Sequence, residues 1–404
     1  MNEAPGLTQG RAPADLNRIL AGQGDLTWPV WAKALLQVPR ELFVPKRGWA
    51  VPDQDGVPAF SIDKRERPEQ WFGAVYSDTS IVTQVDDGAG DPATGDGRFT
   101  SSVSAPGIVA QFGELLAPVR GDRILEVGTG SGWTASLLAG IVGEQGRVVS
   151  IEVDPSLAEP AAERVAAAGF RNVEVLAMDA LDYTADKPFD RLHVTAGVAD
   201  IPWSWMEALR PGGTAVMPWC PVWGHGHKLT LNRIGDEAVG KIHGSAGYMM
   251  LRAQRHAPCS PSSFLHDEDK ARQYFTKINP KCVGRPENAP DWRTYGGGLV
   301  ISAMAPGIRY ELHEAEDGSG EATLWLHETF PGAREHGSWA VVEFVPDADE
   351  FEVTAYGERD LWEEVSSAWM YWNAVGRPDR TRFGATVSPE GLHVWLDRPS
   401  HVIG

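Results

Sequence analysis

The chain has little that would anchor it, cross-link it or hold it to a polyanion. No apolar run approaches the roughly 20 residues that a membrane-spanning helix needs. The opening stretch MNEAPGLTQGRAPADL is polar and carries no hydrophobic block of the signal-peptide kind, so the expected location is the cytoplasm. Cysteine is scarce. Cys220, Cys259 and Cys282 are odd in number and far apart, which excludes a disulfide framework and a zinc ribbon. His225 and His227 in GHGH are the only close histidine pair, and without a nearby third ligand they read as a polar loop; no metal is expected. Lys/Arg-rich blocks are missing too. With 55 acidic against 36 basic residues and a net charge of -19, a phosphate backbone is repelled, whereas a neutral or cationic peptide suits the field. Nucleic acid and membrane are therefore not expected partners, and nothing in the composition sets an oligomeric state.

What is present is ordinary globular material, 42% apolar and 23% charged over 404 residues, enough for two or more cores. Four zones follow from the pattern. Residues 1–98 read as a helical segment, including the amphipathic run Trp31–Val38, closed by an exposed acidic, Gly-rich stretch at 86–98. Residues 99–255 alternate strand and helix, the pattern of an α/β sheet, with strands at 123–127, 147–152, 172–177, 189–195 and 214–219. Between them lie helical stretches at 133–142 and 155–169, the second made less secure by Pro160. KLTLNRI and AVGKIHG extend the sheet in antiparallel fashion. Residues 256–297 read as a linker or irregular arm. Residues 298–404 read as an α+β accessory domain, with strands at GLVISAM, ATLWLHE and WAVVEFV. A helix follows near Asp360–Val375, showing Leu361, Val365, Trp369 and Trp372 on one face, and RFGATV and LHVWL form a closing hairpin.

The chemistry-bearing stretch is Ile124–Trp133, ILEVGTGSGW. A buried strand runs into Gly128, Gly130 and Gly132, and a helix starts directly after, so the chain turns sharply where a ligand can approach backbone N–H groups. Glu152 closes the next strand, twenty residues beyond Gly132, where a carboxylate can take both hydroxyls of an adenosine ribose. A dinucleotide would want G-x-G-x-x-G; here position 133 is Trp, and Glu126 stands where a pyrophosphate would be repelled. A ligand with an ammonium and a sulfonium fits better, and S-adenosyl-L-methionine is the expected cofactor, with S-adenosyl-L-homocysteine its product. A tight turn without any ligand is the plain alternative. Thr129, Val153, Ala180 and Thr195 flank the same loop and strand ends. Asp179 ends the third strand, either at the adenine or as a helix N-cap.

VPRELFVP (38–45), VYSD (75–78), VSAPGIVA (103–110), ILEVGTGSGW (124–133), FDRLHVTAG (189–197) and LRPGGTAVMP (209–218) occur in that order. Together they resemble the protein L-isoaspartyl O-methyltransferase family over about residues 30–235. The resemblance implies a Rossmann-like class I S-adenosylmethionine-dependent methyltransferase sheet and methyl transfer to a carboxylate. It also implies that Ser104, in the Ser-x-Pro segment, bonds the substrate carboxylate, with Ser102 among the nearby hydroxyls. From the residues alone, Ser104 is equally an N-cap for the helix that follows Pro106.

Two departures stand out: the 86–98 insertion between VYSD and the Ser-x-Pro segment, and a C-terminal extension of about 170 residues. With IVTQVDD, FTSS and RFGATVSPEGLHVWLD they resemble the methyltransferases of actinobacterial clusters for ribosomally made, modified peptides. That likeness implies esterification of an Asp side chain in a cyclised precursor peptide, followed by collapse to an aspartimide. Repair of isoaspartyl protein by an enzyme with an accessory domain is the alternative. An ionised carboxylate is already a nucleophile, so either reaction needs positioning rather than a base or a metal.

Overall fold

The computed structural model describes residues 10–256, 264–284, 296–329 and 337–404. Two compact units divide the chain. The first comprises Met1–Ala196, Pro202–Met217 and Asn232–Gly235; the second comprises Gly197–Ile201, Pro218–Leu231 and Asp236–Gly404. Of the expectations above, Cys259, the opening MNEAPGLTQ and parts of the 256–297 arm lie outside the described residues.

In the first unit, helices α1 (Pro13–Gln23) and α2 (Pro29–Gln37) precede a small antiparallel sheet. Its strands are β1 (Arg47–Pro52), β2 (Phe60–Asp63), β3 (Thr79–Val85) and β4 (Phe99–Val103), in the order β2-β1-β3-β4, with α3 (Pro68–Val75) between β2 and β3. Residues 1–98 are thus not simply helical. The strands escape a periodicity reading because β2 has only four residues and β1 ends in proline. Residues 86–98 are mostly exposed, as expected, but they form the connection between β3 and β4 and include two single-turn 3-10 segments, with Ala93 buried. Because β4 pairs with β3, a boundary at 98/99 would cut through this sheet.

The larger sheet of this unit is parallel. It comprises β5 (Arg123–Val127), β6 (Arg147–Glu152), β7 (Val173–Ala177), β8 (Phe189–Val194) and β9 (Leu209–Trp219), in the order β7-β6-β5-β8-β9. β5 lies centrally, with β6 on one side and β8 on the other, so the loop after it opens at the point where strand order reverses. The linking helices are α4 (Pro106–Leu116), α5 (Trp133–Val142), α6 (Pro155–Ala167) and the short α7 (Trp203–Glu207). α5 is apolar nearly all round and nearly wholly buried, as a helix packed on several sides must be. α6 runs through Pro160 at the loss of one backbone bond. Asp154 caps its first turn through Ser156 N, and Ala158, Ala161 and Val165 bury one face.

In the second unit, β10 (His227–Ile234) and β11 (Glu237–Ser245) are neighbours, and β11 pairs with the closing hairpin of β17 (Phe383–Ser388) and β18 (Gly391–Leu396). A separate five-stranded antiparallel sheet takes the order β12-β16-β15-β14-β13. Its strands are β12 (Arg272–Thr276), β13 (Ile308–Glu314), β14 (Ala322–Glu328), β15 (Trp339–Phe344) and β16 (Phe351–Tyr356). β12 shows that part of the expected irregular arm is a regular strand. GLVISAM, expected as a strand, is helical at Gly297–Met304; a short, fully apolar run satisfies either period once both sides are buried. The helix Leu361–Ala374 is as expected, capped by Asp360 through Glu363 N. Trp362 is buried in its core face, while Trp369 is only half-buried. His227, expected in a polar loop, is buried at the start of β10 against Arg380.

α2 and α4 meet through a helical glycine. A Cβ added at Gly113 would run into the indole of Trp31, which is itself fully buried. Alanine normally gains about 1 kcal/mol over glycine inside a helix. Here overpacking reverses the sign, and Gly113→Ala is expected to lose about 1–3 kcal/mol in urea unfolding. A stabilised variant would contradict this packing.

Candidate active site

The loop after β5 needs its glycines for different reasons. Gly128, Gly130 and Gly132 all take positive φ, at 96°, 52° and 87°. A Cβ on Gly128 would lie 2.5 Å from Thr195 Oγ1, and one on Gly132 would lie 2.9 Å from Val165 Cγ2, so both are packed against protein. Gly130 is open by comparison, its nearest neighbours being Ser101 Oγ and Ser102 O at 3.7 Å. The loop is pinned by Gly128 N–H and Thr129 N–H donating to Ile151 O, and by Gly132 N–H donating to Thr129 O. Thr195 Oγ1 donates to Val127 O and Gly128 O, clamping the strand end.

Glu152 stands beside this cradle. Its Oε2 accepts from Gly130 N at 2.9 Å and its Oε1 from Asp154 N at 3.2 Å. Val153 follows, an apolar side chain 41% exposed. Met178 N donates to Glu152 O, which draws the end of β7, and with it Asp179 and Ala180, to the same edge. Asp179 is not a helix cap, since no helix follows; its Oδ1 accepts from Leu181 N in a turn, while Ala180 O accepts from Trp205 Nε1. The structure thus gathers Gly128, Thr129, Gly130, Gly132, Glu152, Val153, Asp179, Ala180 and Thr195 at one end of the parallel sheet. A glycine with one open side, a carboxylate at the strand end and an exposed apolar residue after it fit a ligand of ammonium, ribose and adenine.

Two expected contacts are displaced. Glu126 has no exposed surface. It lies in a row across β6, β5 and β8 with Ser150 and His193, and Ser150 Oγ donates to its Oε2 at 2.6 Å. Ser150 in turn shares a 2.6 Å hydrogen bond with Thr129 Oγ1, so Glu126 carries the loop from beneath rather than facing a ligand. The Trp133 indole is likewise buried, donating to Val38 O, with the Arg40 guanidinium 5.0 Å over its ring.

Ser104, the residue expected to meet the acceptor, lies in the turn between β4 and α4. Ser104 does not cap α4: the cap position falls on Ala105, and no side chain caps there. Asp78 Oδ1 instead accepts from Gly107 N at 2.7 Å. The Ser104 hydroxyl is therefore not spent on the helix, while its carbonyl is held by Arg40 Nη2 at 2.9 Å. Ser102 presents its carbonyl toward Gly130, and the buried hydroxyl nearest to Gly130 belongs to Ser101, which sequence reasoning left without a role.

Arg40 was missed as well, although it stands inside VPRELFVP. It is 1% exposed and donates to Val75 O, Thr79 O, Val103 O and Ser104 O. Burial pulls its guanidinium down to about 9, opposed by the charge of Asp78. Burial also raises the Asp78 carboxyl to about 6, against the Gly107 hydrogen bond, with Asp53 and Asp25 adding repulsion. Among the described residues, no group of three or more His, Cys, Asp or Glu is placed to hold a metal, and no helix is long and apolar enough to cross a membrane.

Comparison with known proteins gives a consistent answer. A sequence profile described as Protein-L-isoaspartate(D-aspartate) O-methyltransferase matches residues 61–251. The chain is 35% identical over 205 residues to the protein-L-isoaspartate O-methyltransferase of Ignicoccus hospitalis, spanning 50% of this chain and 80% of that protein. It is 36% identical over 239 residues to the enzyme of the same name from Methanopyrus kandleri, spanning 59% of this chain and 84% of that one. A solved protein-L-isoaspartate O-methyltransferase superposes with a TM-score of 0.54 at 20% identity, covering 96% of this chain and 100% of its own, a likeness of fold.

The native fold holds the Asp78 proton up to about pH 6, whereas an unfolded chain releases it near the ordinary value of 3.8. Its contribution to stability therefore falls as pH rises from about 4 to about 6 and stays low above that. Asp78→Asn should abolish this decline and, near pH 7, exceed the wild type by up to about 3 kcal/mol in urea unfolding. Parallel pH profiles for the two proteins would sink the assignment.

Proposed function

Because the chain belongs to the protein-L-isoaspartate O-methyltransferase family, S-adenosylmethionine-dependent carboxyl methyltransferases, we propose that the site described above esterifies an isoaspartyl or aspartyl carboxylate of a protein or peptide. One observation carries this reading. The open side of Gly130 faces β4 at Ser101 and Ser102, so the strand that delivers Ser104 runs along the cofactor cradle. When bound, S-adenosylmethionine supplies an electrophilic methyl carbon.

In this reading Glu152 accepts from the ribose hydroxyls, Val153 lies under the adenine ring, and Asp179 and Ala180 border its edge. Ser104 donates a hydrogen bond to the acceptor carboxylate and fixes its direction. The free carboxylate oxygen forms the new carbon–oxygen bond as the sulfur–carbon bond breaks, and no proton moves. Alignment of the reacting atoms is then the main contribution the chain must make.

The isoaspartyl acceptor is supported by the names the relatives carry. A second acceptor, an aspartate in a cyclised precursor peptide whose ester closes to an aspartimide, is supported by what lies outside the matched segment. Residues 252–404 fall beyond it.

Ser104→Ala should lower turnover by about 10–100-fold with unchanged S-adenosylhomocysteine affinity, whereas Glu152→Ala should weaken that affinity by about 1.5–3 kcal/mol. Mass spectrometry separates the acceptors. A linear isoaspartyl peptide gaining 14 mass units (roughly one CH2) supports the first. A constrained peptide that gains and then settles about 18 below its starting mass (one water) supports the second. Turnover unchanged in Ser104→Ala would remove that residue from the acceptor site.

A further inference from the structure

The insertion at 86–98 is wired into the cofactor site. Pairing of β3 with β4 slips twice. Val82 faces Ser102, Gln84 faces Ser101 and Val85 faces Phe99, so Thr83 on one strand and Thr100 on the other are each left as an extra residue. Bulges of this kind re-aim side chains. Here they bring Thr100 Oγ1 within 2.9 Å of Gln84 Oε1 and Gln84 Nε2 within 3.0 Å of Asp154 Oδ2.

From Asp87 as far as Glu152, donors and acceptors run in one direction. Asp87 N–H donates to Thr100 Oγ1 at 3.2 Å, Thr100 O–H donates to Gln84, and the Gln84 amide donates to Asp154. Asp154 N–H then donates to Glu152 Oε1, and Glu152 Oε2 accepts from Gly130 N–H in the glycine loop. Thr100, Gln84, Asp154 and Glu152 are all buried, so water competes little for these bonds. The upstream end is fixed as well. Asp86 N donates to Arg98 O and Arg98 N to Asp86 Oδ1, closing the base of the insertion, while Asp86 and Asp87 take φ of 47° and 53°. Two consecutive non-glycine residues in the left-handed region persist only where their surroundings hold them.

We propose that Gln84 and Thr100 are positioning residues for the cofactor: this chain of hydrogen bonds sets the place of Glu152, and the 86–98 insertion is its outer anchor. The inference rests on the reading of Glu152 as the ribose partner. It makes the insertion part of the cofactor site's support, where a lip that only recognises substrate would leave cofactor affinity alone.

The test is calorimetry on the full chain with S-adenosylhomocysteine and with its analogue lacking both ribose hydroxyls. Gln84→Met and Thr100→Val remove the hydrogen bonds at nearly constant volume. Both should raise Kd for S-adenosylhomocysteine about 5–20-fold while changing Kd for the dideoxy analogue less than about twofold, the size expected of one buried hydrogen bond. Thr100→Ser keeps the hydroxyl and should stay within about twofold of wild type for both ligands. If Gln84→Met does not fold, the Thr100→Val and Thr100→Ser pair decides alone. Unchanged affinity in Thr100→Val, or equal weakening for both ligands, overturns the proposal. Glu152→Ala is measured alongside: if it binds as wild type, the ribose reading itself fails. If it weakens while the Gln84 and Thr100 variants do not, only the present inference falls.

Discussion

A buried guanidinium with four main-chain carbonyls around it is an expensive thing to place inside a protein. Arg40 has lost its water, and no carboxylate bonds it directly; its compensation comes from carbonyl dipoles and from the nearby charge of Asp78. The carbonyls belong to the end of α3, the start of β3, the end of β4 and Ser104. The guanidinium face lies over Trp133, the first residue of α5. One side chain therefore ties together the small sheet, the turn at Ser104 and the helix that begins at the glycine loop. Lysine could not do this, since it offers a single point of charge where the two terminal nitrogens of a planar guanidinium reach four carbonyls at once. The placing of the glycine-loop helix against the Ser104 turn depends on those bonds.

This dependence explains which parts of the molecule could be read from the sequence. The cradle was legible because it is local: a strand, three glycines, a helix and a carboxylate twenty residues on are contiguous in the chain and recur with fixed spacing. The helix Leu361–Ala374 was legible for the same reason, its apolar period being written in one contiguous stretch. Arg40 was not, because its acceptors lie 35, 39, 63 and 64 residues away and are backbone atoms that leave no mark on residue identity. The Ser101 and Thr100 hydroxyls were hidden by the double slip between β3 and β4, which breaks the alternation that would have assigned their faces. GLVISAM failed for a different reason: burial on all sides removes the polar residues that distinguish one period from another.

The same distinction separates what Glu126 and Glu152 do, although both are carboxylates at the ends of neighbouring parallel strands. Glu126 is the fourth residue of β5, points into the sheet's face and is satisfied on one oxygen by Ser150; it has no route to a ligand. Glu152 is the last residue of β6, where the strand runs out and the side chain clears the sheet edge to meet Gly130. A one-residue difference in distance from the strand end separates a support beneath the loop from a side chain that meets the loop at Gly130, a difference that spacing alone could not show.

Ser104 shows how the architecture reconciles rigidity with availability. In the proposed reading Ser104 orients a nucleophile, so it has to be held while its own hydrogen-bonding capacity is left for the substrate. The usual way to fix a serine before a helix is to spend its hydroxyl as a cap, which would defeat the purpose. Here the capping duty passes to Asp78, which accepts from Gly107 N, and the fixing duty passes to Arg40, which grips the Ser104 carbonyl. Backbone restraint and side-chain freedom are thus divided between two buried groups of opposite charge that also temper each other's burial. The carboxyl of Asp78 is the less stable half of that arrangement, because desolvation and two neighbouring aspartates outweigh the guanidinium. The fold accepts that cost at the helix N-terminus so that the serine's hydroxyl is not drawn into the helix.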